Sequence, residues 1–76
     1  SVRTYPNPST GSVTIKVDNN ANSSLEIFNS LGAKIFASSF KSEMTVSKNV
    51  LNTTGVYYYT IQNAGVTTSG KIVVVE

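Results

Sequence analysis

The stretch that decides the fold is Val56-Tyr57-Tyr58-Tyr59-Thr60-Ile61-Gln62-Asn63-Ala64-Gly65-Val66-Thr67-Thr68-Ser69-Gly70-Lys71-Ile72-Val73-Val74-Val75-Glu76. Tyr57, Tyr59 and Ile61 fall on one parity, with Tyr58 and Thr60 between them. Ile72 and Val74 repeat the pattern beside Lys71 and Val73. A period of two marks a half-buried strand, and β-branched and aromatic residues fill such strands best. Asn63-Ala64-Gly65 reads as a three-to-four-residue hairpin turn with glycine at its left-handed position. The segment is therefore a hairpin of two long strands rather than a helix.

The same alternation extends backwards along the chain. Val13, Ile15 and Val17 alternate with Thr14 and Lys16, and Leu25 and Ile27 flank Glu26. Between the runs stand turn residues. Tyr5-Pro6-Asn7-Pro8-Ser9-Thr10-Gly11 carries two prolines, which bar it from a helix or a central strand. Residues 18–24 are a polar loop, and Asn29-Ser30-Leu31-Gly32 reads as a type I turn ending in glycine. Strands are predicted at 3–5, 12–17, 24–28, 33–39, 44–47, 56–62 and 67–75. Six or seven short strands with turns every 8–12 residues or so argue an all-β, antiparallel sandwich. Alternation turns Val13, Ile15, Leu25, Ile27, Ile35, Val46, Tyr57, Tyr59, Ile61, Ile72 and Val74 inward and leaves Tyr58 outward.

Seventy-six residues allow one domain, residues 1–76, with no internal repeat and no second composition zone. Surface scaling gives roughly 4,500 Å² folded against roughly 11,700 Å² extended, so about 60% is buried. That core is thin, and natural domains of this size usually add disulfides or a metal. The chain has no Cys and no His. A Ser-His-Asp triad, a Cys-His dyad and a His- or Cys-held zinc or haem are excluded by count. Asp18, Glu26, Glu43 and Glu76 are scattered, which leaves little room for a paired-carboxylate cleft. No enzymatic activity and no cofactor are expected.

The six Lys and Arg residues give a net charge of +2 and are never adjacent, so the basic stripe of a nucleic-acid binder is missing. Charged residues are 13%, about half the usual quarter, and 28 Ser, Thr and Asn take their place. That surface suits an extracytoplasmic bacterial protein. No apolar run approaches the ~18 residues of a transmembrane helix. The chain opens at Ser1 rather than Met, so it reads as a piece of a longer protein, and nothing in it locates a processing boundary near Ser1. Asn22-Ser23-Ser24 and Asn52-Thr53-Thr54 match the glycosylation pattern, as chance allows in so Asn-, Ser- and Thr-rich a chain.

Four short motifs then recur in order: Tyr5-Pro6-Asn7-Pro8-x-x-Gly11, Ile27-Phe28-Asn29-x-x-Gly32, Gly55-x-Tyr57, and Lys71 followed by Ile72, Val73, Val74, Val75 and Glu76. Together they resemble the type A C-terminal sorting domain of the type IX secretion system, over essentially the whole chain. One departure stands out: the family often has Leu-x-x-Gly before its tyrosine, whereas Leu51 and Gly55 enclose three residues.

The resemblance implies an immunoglobulin-like β-sandwich at the end of a secreted Bacteroidota protein, acting as an address rather than an enzyme. It implies transit through the periplasm, followed by the outer membrane, cell surface or medium. The partners it implies are an upstream cargo domain in cis, the type IX translocon with its shuttle components, and a sortase-like cysteine protease that removes the domain. It carries over as recognition residues Pro6, Asn7, Pro8, Gly11, Asn29, Gly32, Gly55, Tyr57 and Lys71 to Glu76. A sheet edge near the C-terminal strand is expected to pair with a receptor strand. The alternatives are a small carbohydrate-binding or adhesion sandwich, which needs several coplanar outward aromatics, and a fibronectin-like spacer.

Overall fold

The computed structural model describes residues 2–76; Ser1 lies outside the described residues. The chain runs through β1 (Val2–Tyr5), β2 (Val13–Val17), β3 (Asn22–Phe28), β4 (Lys34–Lys41), β5 (Glu43–Val46), β6 (Gly55–Asn63) and β7 (Val66–Val74). All seven predicted strands are present, with their ends moved by two residues or fewer. They form two antiparallel sheets, ordered β1-β2-β5 and β4-β3-β6-β7. The chain crosses from one sheet to the other between β4 and β5 within one residue, Ser42, which takes φ 67 and accepts the Val17 N–H through its carbonyl at 2.9 Å. Accessible surface is 4531 Å², close to the scaling value for a folded chain of this mass.

The two inner faces enclose one core, built from Val13, Ile15, Leu25, Ile27, Val46, Tyr57, Tyr59, Ile61, Ile72 and Val74, as the alternation requires. Val17 is buried as well, and Phe36, Phe40 and Met44 pack partly against this core. Tyr59 lies across from Gly70, and a Cβ at Gly70 would overlap its ring. The glycine is the space the ring occupies.

Two expectations are corrected. Ile35, read as inward, is 39% exposed. The β3–β4 register shifts there: Ile27 faces Phe36 while Phe28 faces Lys34, so Ile35 is the unpaired residue of a bulge. Phe36 takes the inward place instead. The β6–β7 turn is also tighter than expected. Asn63 pairs with Val66, leaving a two-residue loop in which Ala64 (φ 51) and Gly65 (φ 81) are both left-handed. Positive φ at both positions is the type I′ hairpin. The Asn29–Gly32 turn forms as read: the Gly32 N–H donates to Asn29 O at 2.9 Å, and Asn29 Oδ1 accepts the Leu31 and Ala33 N–H groups at 3.0 Å each.

Candidate functional site

Antiparallel pairing gathers the four motifs at one end of the sandwich. Phe28, just before Asn29, faces Lys34 on one side and Tyr58 on the other. Gly55 opens β6 opposite Val74. In the other sheet β1 ends at Tyr5 opposite Thr14, and the bridge from Ser9 to Val74 places residues 6–12 at that same end. The opposite end carries residues 18–21, Ser42 and the Ala64-Gly65 turn, none of them in a motif.

The first and last motifs touch. Asn7 Nδ2 donates to Lys71 O at 2.9 Å, and the Val73 N–H donates to Asn7 Oδ1 at 3.0 Å. The Ser9 N–H donates to Val73 O at 2.8 Å, and the Val75 N–H donates to Ser9 O at 2.7 Å. Ser9 thus makes a parallel bridge beside Val74. It is 2% exposed, and its hydroxyl is tied down, donating to Ser12 O at 2.7 Å and accepting the Gly11 N–H at 3.0 Å. Pro6 and Pro8, both preceded by cis peptide bonds, flank Asn7 on the surface. Gly11 is buried at φ 146, with Lys48 Cγ only 2.9 Å from where a Cβ would sit. Any side chain there would be strained at that φ and would have to push the Lys48 side chain aside.

These contacts cover the outer edge of the C-terminal strand at residues 71–75, part of the edge expected to be open. Backbone groups of successive strand residues point alternately to either side. Those of Ile72 and Val74 face β6, and those of Lys71, Val73 and Val75 face outward. The outward groups are where Asn7 and Ser9 sit, so an added strand would have to displace them.

The third motif closes the same end. The Tyr57 ring is buried and its hydroxyl emerges beside Thr53: it donates to Thr53 O at 2.8 Å and accepts the Thr53 N–H at 3.2 Å, with Thr53 Oγ1 at 2.9 Å. This ties β6 to the loop at 47–54. Ser47 O accepts the Val50 and Leu51 N–H groups at 3.0 and 3.3 Å, and the turn this makes drives Leu51 into the core at 1% exposure. The extra residue between Leu51 and Gly55 is accommodated in this loop. Two shallow clefts flank Asn52 and Thr53: one borders Asn29, Ile35 and Tyr57, the other Thr10, Lys48, Val75 and Glu76.

Of the residues carried over from the resemblance, Ile72 and Val74 are core, Val73 is half-buried, and Lys71, Val75 and Glu76 are exposed. The sequence assigns no structural role to Ser9, and names Leu51 and Thr53 only for the spacing before Gly55 and for a glycosylation pattern. Ser9 and Thr53 act through backbone contacts joined by hydroxyl contacts common to many loop Ser and Thr residues, and Leu51 is a lone apolar residue in a polar loop. On the outer face of the larger sheet Phe28 stands beside Tyr58, with Lys34 and Lys71 at the ends of the row. The sequence had left only Tyr58 there. Among the described residues no cluster of three acidic side chains could hold a metal ion, and no helix is long and apolar enough to cross a membrane.

A family model described as the secretion system C-terminal sorting domain matches residues 3–75. No curated protein matches the chain. With the match spanning nearly all of its length, the chain belongs to the family of type IX secretion C-terminal sorting domains.

Proposed function

We propose that residues 1–76 are the non-catalytic address of a longer protein, read by the outer-membrane translocon of type IX secretion and its shuttle components. Membership in the family makes the parent a secreted or cell-surface protein. In this reading the cargo lies upstream in cis and passes through the periplasm of a bacterium of the Bacteroidota. A sortase-like cysteine protease then removes the domain. The strand order β1-β2-β5 over β4-β3-β6-β7 and the Tyr57–Thr53 corner support an immunoglobulin-like sandwich.

One observation carries the reading: four motif segments, separated in the chain, meet at one end of the sandwich, and the proline turn is seated on the C-terminal strand. A cargo-independent label needs one self-folding surface and no reactive groups. The test is a fusion of residues 1–76 to a periplasmic reporter in a type IX-competent cell, beside a fusion lacking residues 71–76. The first is expected outside the cell and the second inside. Retention of both would overturn the proposal.

The Phe28–Tyr58 row favours a second reading, a carbohydrate-binding face. Phe28 is half-buried and Tyr58 is 49% exposed, so the platform is narrow. Glycan-array binding abolished by Tyr58→Ala would support that reading over the first.

A further inference from the structure

We propose that Asn7 and Ser9 form a latch that completes the sorting signal, so that its protein receptor reads the proline turn and the C-terminal strand as a single surface. The inference rests on the sorting reading and adds which residues position the signal. Four outward backbone groups, Lys71 O, the Val73 N–H and carbonyl, and the Val75 N–H, are already hydrogen-bonded to Asn7 and Ser9. Receptor contact by strand addition at these residues would have to displace Asn7 and Ser9. What faces a partner is side chains: Pro6, Pro8 and Val75 as exposed apolar groups, with Lys71 and Glu76 as the flanking charges.

Asn7 and Lys71 are 64 positions apart in the chain, so their contact exists only once both sheets have formed. Ser9 makes the contact rigid, since it is buried and its own hydroxyl is bonded on either side. An unfolded or half-folded domain carries both motifs but not the surface they make. The latch thereby restricts recognition to folded domains, and Asn7 is a positioning residue rather than a contact that the receptor must touch.

The test uses the reporter fusion with Asn7→Ala, which removes both side-chain bonds and leaves the β6–β7 ladder intact. Backbone exchange at Val73 is expected to quicken by about tenfold or more while Tyr57 and Ile72 keep their protection, which separates a loosened edge from an unfolded domain. Export is expected to fall to the level of the fusion lacking residues 71–76. Asn7→Asp keeps the acceptor for the Val73 N–H and loses the donor to Lys71 O, so it is expected between the two. Asn19→Ala removes a comparable exposed carboxamide contact, to Asn63 at the far end, and is expected to export as the parent does. If the parent fusion stays in the periplasm, the sorting reading itself fails. If the parent is exported and Asn7→Ala is exported equally, the latch is overturned: with Val73 protection lost the latch is not read, and with it kept Asn7 does not hold the strand.

Discussion

Replacing Tyr57 by Phe removes a single oxygen and keeps the ring that fills the core. That oxygen holds Thr53 through its carbonyl at 2.8 Å and its N–H at 3.2 Å, and lies 2.9 Å from its hydroxyl. The Thr53 hydroxyl belongs to an exposed residue and returns to water at little cost. The two backbone groups lose a partly buried partner, at about 1 kcal/mol each. The expected loss is therefore about 2 kcal/mol. In a domain of this size that lowers Tm by roughly 8–16 °C. Urea unfolding of the isolated domain measures it, and the midpoint should fall with an unchanged slope. Tyr59→Phe is the internal control, since the Tyr59 ring is equally buried and its hydroxyl makes no hydrogen bond among the described residues. It should lie within about 0.5 kcal/mol of the parent. If Tyr57→Phe is as mild as Tyr59→Phe, the corner does not hold the 47–54 loop and the reasoning fails.

Other substitutions probe other parts of the fold. Leu51→Ala empties a 1% exposed core position and should cost about 2–5 kcal/mol by urea titration, a large share of what a thin core supplies. Gly70→Ala pushes a methyl into the Tyr59 ring and should cost about 1–3 kcal/mol, with changed near-ultraviolet circular dichroism as the ring moves. Ala64→Asn relieves a left-handed alanine at φ 51 and makes the Asn-Gly pair preferred by this turn; a gain of about 0.5–1 kcal/mol in a thermal melt is expected.

Side-chain period made most of this fold legible. Period-two alternation needs no partner to be recognised, so Val13, Ile15, Leu25, Ile27, Tyr57, Tyr59, Ile61, Ile72 and Val74 could be assigned to the core in advance. Glycine- and asparagine-rich turns set the strand limits for the same local reason. What stayed hidden depends on pairing between distant segments. Ile35 shares the outward parity of Ala37 and Ser39, and only the pairing of β4 with β3 shows that Phe36, Ser38 and Phe40 are the positions turned to the core. Leu51 has no alternating neighbours, and its burial comes from the loop that Tyr57 pins. The motifs of the candidate site could be named from the sequence, but their meeting could not. The Asn7–Val73 contact spans 66 positions and is made by a carboxamide on backbone, which any strand sequence at 71–75 would accept equally. For that reason the sequence of residues 71–75 reads as an open edge, and only the folded structure shows the turn seated on it.

The central claim is that the signal is a surface assembled from distant segments rather than a linear tag. The most direct test compares export of one reporter carrying residues 66–76 alone with the same reporter carrying residues 1–76. The account predicts export only with the whole domain, because β7 by itself has neither β6 to pair with nor Asn7 and Ser9 on its outer edge. Equal export by the eleven-residue tag would contradict it.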